Sequence, residues 1–167
     1  MAGGEDEEFE AFCRQQLQQL KRLLLTMAFS EVVAEDATQE ALCLAYKYWD
    51  TIDYPDAWVR TTARRLAIRE TQRTRTLVSL QDDWLPDAED SAFSHWPSIK
   101  PDHYPVLEAV RSLPDHQRFV MAYTIRGFEP QEIADELGMN PATVRSHLRH
   151  ARTKLRDRFS EGGEFFV

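Results

Sequence analysis

Arg145, Arg149, Arg152 and Arg156 recur at intervals of four, three and four residues, with Thr143, Ser146, His150 and Lys154 among them. A guanidinium makes two parallel hydrogen bonds to guanine O6 and N7, Ser and Thr hydroxyls reach base edges, and any cation can neutralise a phosphate. The chemistry on offer is recognition of duplex DNA. Thr143, Arg145, Ser146, Arg149 and His150 come first along the stretch and are the candidates for base contact, whereas Arg152, Lys154 and Arg156 are placed for phosphates. His147 and His150 have no carboxylate or cysteine at ligand spacing, so no metal centre is expected there.

Such a row needs a helix held down by a second, apolar row. Val144, Leu148, Ala151, Leu155 and Phe159 supply it, at intervals of four, three, four and four. Just before it, PQEIADEL (130–137) reads as a short helix with Ile133, Ala134 and Leu137 inward. Gly138 provides a turn that a Cβ disfavours, and Asn140 followed by Pro141 is an N-cap followed by an N1 proline. Two helices around a tight turn, the second longer and cationic, make a helix-turn-helix. Residues 106–113 and 115–126 add two more helices; the later one turns Phe119, Ala122 and Tyr123 inward and closes at Gly127.

A second cationic stretch lies nearer the N-terminus. Pro55 opens a helix over 55–75 that carries Arg60, Arg64, Arg65, Arg69, Arg73 and Arg75 against Asp56 and Glu70. Its line of Val59, Ala63, Leu66 and Glu70 is flanked by Arg60 and Arg64 on one side and by Arg65, Arg69 and Arg73 on the other. Two earlier helices are expected to support it. One starts near Phe9 and buries Phe9, Phe12, Leu17, Leu20, Leu24 and Met27; the other covers 34–50, with Ala37, Ala41, Leu44 and Tyr48 on one side. Residues 1–8 are too polar to pack and read as a disordered acidic tail. Residues 77–104 lose all periodicity and are broken by Pro86, Pro97 and Pro101, so they read as an acidic linker with Leu85, Phe93, Trp96 and Ile99 as docking points. The expected fold is all-α: two small helical domains joined by a flexible acidic linker, the C-terminal one a helix-turn-helix.

The net charge of −8 over 167 residues does not contradict DNA binding, because the charges are segregated. Two basic segments flank the acidic 81–103. Cys13 and Cys43, with 29 residues between them, support neither a disulfide framework nor a zinc site and read as two partly buried thiols. The N-terminus is acidic and no apolar run approaches the ~20 residues that span a bilayer, so a soluble cytoplasmic protein without membrane insertion is expected. No nucleophile–base pair, phosphate loop or metal cluster appears, so neither an enzyme nor a cofactor is expected.

With these residues in hand, the chain resembles the extracytoplasmic function (ECF) sigma factors of bacterial RNA polymerase, the small two-domain type. The likeness is carried by residues 113–156, LPDHQRFVMAYTIRGFEPQEIADELGMNPATVRSHLRHARTKLR, and by AEDATQEALCLAYKYWD (34–50) and PDAWVRTTARRLAIRETQR (55–73). It implies a region-two-like domain over 9–76 and a region-four-like domain over 105–160, with a tail at 161–167 to which no role is assigned. By the same resemblance, Asp36, Gln39, Glu40 and Cys43 dock on the clamp helices of the polymerase largest subunit. Asp53, Tyr54 and Trp58, with Arg60, Arg64, Arg65 and Arg69, melt and hold the minus-ten element around an extruded base near 50–57. Thr143, Arg145, Ser146, Arg149, His150 and Arg152 read the minus-thirty-five element. Of Tyr46, Tyr48, Trp49, Tyr54 and Trp58, one or two are expected to touch DNA, since most aromatics at helical spacing belong to a core. The implied partners are core RNA polymerase (the clamp helices and the flap of the second-largest subunit), promoter DNA and an anti-sigma factor. The implied function is promoter-specific initiation of transcription. The family often has Asn where Arg65 stands and Arg where His150 stands, so the target sequence does not carry over from relatives.

Two other functions fit parts of the pattern. A stand-alone helix-turn-helix regulator accounts for the C-terminal half alone. A sigma-like decoy that sequesters an anti-sigma factor accounts for both halves, but has no need of two arginine-rich faces.

Overall fold

Residues 2–79 and 104–161 are described by the structure, a computed structural model, and every regular element among them is helical. They fall into two units, the first holding α1 (Ala2–Thr26), α2 (Glu31–Lys47), a 3-10 turn (Trp49–Thr51) and α3 (Pro55–Ser79). The second holds α4 (Tyr104–Arg111), α5 (Asp115–Ile125), α6 (Pro130–Leu137) and α7 (Pro141–Glu161). Among the described residues no helix is long and apolar enough to cross a membrane.

In the first unit, α1 begins at Ala2 and takes in residues expected to be a disordered tail. Acidic residues at a helix N-terminus interact favourably with its dipole, and the Tyr46 hydroxyl donates to the Asp6 carboxylate at 3.1 Å. The buried line of α1 also differs from expectation at one position: Leu17 is 40% exposed and Gln16 is 3% exposed. At 3.6 residues per turn, the line through Leu24 and Leu20 reaches position 16, not 17. Buried there, the Gln16 amide donates to the Asp56 carboxylate in the first turn of α3, joining the two helices. Helix α2 starts at Glu31 rather than at residue 34 because Ser30 caps it, the hydroxyl accepting from the Val33 N–H at 3.3 Å. It ends at Lys47, where the 3-10 turn takes over and the Thr51 hydroxyl donates to the Tyr48 carbonyl at 2.8 Å.

The closest-packed helices of this unit are α2 and α3. Ala34, Ala37, Ala41 and Ala45 face Val59, Ala63 and Ala67, all buried, and such small side chains let two backbones approach. Helix α3 continues to Ser79, past the start of the expected linker at 77. The rest of that linker, with Leu85, Phe93, Trp96 and Ile99, lies outside the described residues apart from Tyr104, which opens α4. Glu161 is the last residue of α7, and the remainder of the tail is also outside them.

In the second unit, Val110, Phe119, Val120, Tyr123, Ile133, Val144, Leu148 and Ala151 form one core. Gly127 (φ 88°) ends α5, and the Phe128 N–H reaches back to the Tyr123 carbonyl at 3.2 Å. Helix α6 opens with a capping box in which Glu129 and Glu132 each bond the other's backbone N–H. It closes at Gly138, whose φ of 64° lies in the left-handed region. Asn140 Oδ1 accepts from the Ala142 N–H at 2.8 Å and caps α7. The apolar stripe of α7 is buried through Ala151, but Leu155 is only half-buried and Phe159 is 37% exposed. At 21 residues, the helix outruns the three helices packed against it.

Ala28 is the one described non-glycine residue with positive φ, 68°, and follows α1 at the position glycine usually takes. Ala28→Gly is expected to raise stability by roughly 1 kcal/mol in chemical denaturation, because the Cβ penalty of the left-handed region is removed. Gly138→Ala is expected to cost about 1 kcal/mol from backbone conformation alone, since an added Cβ there meets nothing within 4 Å.

Candidate nucleic-acid interface

Each turn of α7 sets a buried apolar residue beside an exposed cation. With Val144, Leu148 and Ala151 in the core, the helical step puts Arg145, Arg149, Arg152 and Arg156 along one flank and Thr143, His147, His150 and Lys154 along the other. Ser146 lies on the outer face between the flanks. The residues expected to touch DNA are therefore not one cluster. Arg149 and His150, neighbours in sequence, diverge to opposite sides of the outer face.

The four arginines form one wall of an open cleft of about 880 Å³, whose other wall is the turn from α5 to α6 with Phe128 and Glu129. All four are exposed. Helix α6 begins at this cleft, with Glu129 and Pro130 in its lining, and the Glu129 carboxylate accepts from the Glu132 N–H in the capping box. Among the described residues that line the cleft, Glu129 contributes the only carboxylate. Such a cleft favours an extended polyanion over a small uncharged ligand. Phe128 and Glu129 had no signal in the sequence, since they are brought to the arginine row only by the bend after Gly127, whereas Thr153 stands on α7 beside Arg152 and carries no charge.

On the other flank, the His147 ring stacks on His116 of α5, with centroids 5.7 Å apart and 25° between planes. Burial, then the charges of His116 and His150, push the His147 imidazole below its usual range. Among the described residues no group of three His, Cys, Asp or Glu is arranged to hold a metal ion.

In the first unit, the end of the 3-10 turn, the residues that follow it and the first three turns of α3 line an open pocket of about 430 Å³. Asp53, Tyr54, Trp58 and Arg65 line it together, as do Thr61 and Thr62, which sequence reading passed over although they stand one turn beyond Trp58. Tyr54 is 78% exposed and Trp58 half-buried. The other aromatics belong elsewhere: Trp49 and Tyr46 pack on Phe9 with centroids 5.0 and 4.9 Å away, and the Lys47 ammonium lies 5.3 Å from the Tyr48 ring centroid.

Arg60 and Arg64 sit on the flank of α3 away from this pocket, across the buried line of Val59, Ala63 and Ala67. Arg69 is 3.4 Å from Glu40 of α2, in an exposed ion pair of the kind that contributes little stability. Arg73 grips Glu70 with two hydrogen bonds, 2.7 and 3.0 Å, and holds that carboxyl below its usual range. Asp36, Gln39, Glu40 and Cys43 are all exposed and share one face of α2, opposite the alanines. Cys43 is thus exposed rather than partly buried, and Cys13 is half-buried.

Residues 12–76 match the family described as Sigma-70 region 2, and residues 104–155 match Sigma-70, region 4. The RNA polymerase sigma-E factor of Streptomyces avermitilis is 32% identical, over 94% of this chain and 88% of its own length. The sigma-E factor of Streptomyces antibioticus is 33% identical, over 94% and 87%. The ECF RNA polymerase sigma factor SigL of Mycobacterium tuberculosis is 29% identical, over 86% and 84%. Among solved structures, the fold is similar to that in the complex of the sigma factor RpoE with the anti-sigma factor NepR from Bartonella quintana. That similarity has a TM-score of 0.76 at 19% identity, covering 92% of this chain and 98% of that one.

A folded-state imidazole held below its unfolded value binds protons less readily than the unfolded chain. The stability gained from neutral His147 is present above the unfolded value of about 6.5 and is lost as pH falls through the lower, folded one. Titration followed by NMR is expected to show His147 protonating below pH ~6.5, with unfolding of the wild-type chain easier in that range. His147→Gln is expected to flatten this dependence.

Proposed function

We propose a division of labour between the two units of this chain, which belongs to the extracytoplasmic function group of RNA polymerase sigma factors. As a sigma factor it binds core polymerase and directs promoter-specific initiation of transcription. Both sigma regions in one chain, in this order, favour a polymerase subunit over a stand-alone regulator.

In this reading the second unit, over residues 105–160, reads the minus-thirty-five element. The observation that carries it is the row of Arg145, Arg149, Arg152 and Arg156, exposed along a cleft while the opposite side of α7 is locked in the core. The N-terminal residues Thr143, Arg145, Ser146, Arg149 and His150 meet base edges, and Arg152 and Arg156 follow the backbone. The first unit, over residues 9–76, opens and holds the minus-ten element. Its pocket beside Tyr54 and Trp58 has room for a base taken out of the stack, a step that costs a few kcal/mol and is offset by stacking. Arg65 lies at that pocket, and Arg60, Arg64 and Arg69 attract phosphates nearby. The exposed row of Asp36, Gln39, Glu40 and Cys43 on α2 meets the clamp helices of the largest subunit, and the second unit meets the flap of the second-largest. An anti-sigma factor is a further partner, by likeness to the RpoE–NepR complex. The protein works in the cytoplasm, where polymerase is, and has no catalytic role of its own.

Purified chain added to core polymerase is expected to yield a run-off transcript from a defined promoter; failure to form any complex with core would sink the proposal. Arg149→Ala is expected to lose about 1–3 kcal/mol of discrimination at one base pair. Arg156→Ala, in contrast, weakens binding to every sequence and lowers the salt slope by about one. Equal effects of the two substitutions in binding titrations would show that the row acts on phosphates throughout. Tyr54→Ala, at a side chain that supports no core, is expected to leave the unfolding midpoint unchanged. The same substitution weakens binding of single-stranded minus-ten DNA by about 1–3 kcal/mol, measured with polymerase holoenzyme.

A further inference from the structure

Between α1 and α2 lies a cavity of about 530 Å³ that has no part in either DNA-facing surface. Cys13 from α1 and Cys43 from α2 both line it, with Asp6, Glu10, Phe9 and Tyr46 around them. Cys43 is exposed, so a small oxidant reaches its sulfur directly; Cys13 is half-buried. The two thiols are close enough for charge on one to be felt at the other. Burial first, then the charges of Cys43 and Glu10, push the Cys13 thiol up. These are the two cysteines of the chain, and the fold brings them, with 29 residues between them in sequence, to the same cavity wall.

We propose that Cys13 and Cys43 are a peroxide-sensitive dithiol that closes to an intramolecular disulfide across this cavity. The thiolate of Cys43 attacks hydrogen peroxide, takes one oxygen as a sulfenic acid and releases hydroxide, which is protonated to water. The thiolate of Cys13 then attacks Cys43 Sγ, forms the S–S bond and expels the oxygen as a second water. In sum, two thiols lose two protons and two electrons, and one peroxide becomes two waters. The roles follow from exposure: the accessible sulfur is oxidised first, and the sheltered one, held in its protonated form until attack, resolves it. The open cavity lets the two Sγ atoms turn toward each other, and closure draws α1 and α2 together to the short Cβ–Cβ separation of a disulfide. Closure ties α1 to the end of the exposed α2 row that Cys43 terminates. Cys43 belongs both to this site and to the row proposed to meet polymerase, but its thiol chemistry is read on the chain without polymerase and so stands or falls independently of that contact.

The test uses the full reduced chain, treated with hydrogen peroxide and followed by intact mass and peptide mapping. The expected product is a monomer lighter by two hydrogens, whose α1 and α2 peptides stay joined until a reductant is added. Closure is expected to be several-fold faster in the native protein than in urea, where the cavity is lost. With Cys13→Ser, oxidation is expected to stop at a sulfenic acid on Cys43, trapped by a 1,3-dione. Three results would overturn the proposal: added oxygen accumulating on Cys43 of the wild-type chain while Cys13 stays free, a bond between two chains, or equal rates of closure in native buffer and in urea.

Discussion

A helix can hold a row of guanidiniums in solvent only while its opposite side is fixed, and in both units that fixing falls to a narrow apolar seam. On α7 it is Val144, Leu148 and Ala151, set against α5 and α6. On α3 it is Val59, Ala63 and Ala67, set against the alanines of α2. Burying a side chain the size of Val or Leu contributes about 1.5–3 kcal/mol, far more than any exposed ion pair on the same helix. The seams therefore decide the rotation of each helix, and the cations point where the seams leave them.

That ordering explains why an acidic protein presents two basic surfaces. Mutual repulsion along α7 is relieved only in part, by Asp157, 3.7 Å from Arg156, and by Glu129, the one carboxylate among the described residues that line the cleft. A surface of this kind is partly unsatisfied until a polyanion arrives, and release of counterions from that polyanion supplies much of the favourable free energy. On α3 the situation is milder, because Glu40 and Glu70 take up Arg69 and Arg73. On the proposed reading, the first unit accordingly relies more on its aromatic pocket, and the second more on charge.

Most of the fold was legible because its signals are local. The stops and starts of α6 and α7 could be read from Gly138, Asn140 and Pro141, each of which acts on its own backbone. The start of α3 at Pro55 was equally plain. What escaped depended on partners distant in sequence. Gln16 displaced Leu17 from the core because an acceptor waits at Asp56, 40 residues away. The first turns of α1 were read as disordered because their polarity says nothing of Tyr46, which bonds Asp6. At the sites, composition and spacing found the arginine rows of both helices, but not that the base-contact candidates of α7 divide between two flanks. Nor did they find Phe128, which joins the cleft through a bend in the chain, or Thr61 and Thr62, which stand on α3 itself but carry no charge to draw attention.

The exposure of the α7 arginines has an evolutionary corollary. None of Arg145, Arg149, Arg152 or Arg156 is part of the core, so exchanging one for another side chain leaves the seam intact and alters stability by only about half a kcal/mol. On the proposed reading of α7, recognition and folding thus draw on different residues of the same helix. A duplicated copy of such a gene can drift through many readings of DNA without passing through an unfolded intermediate, which makes this helix a cheap place for a genome to invent new regulatory addresses.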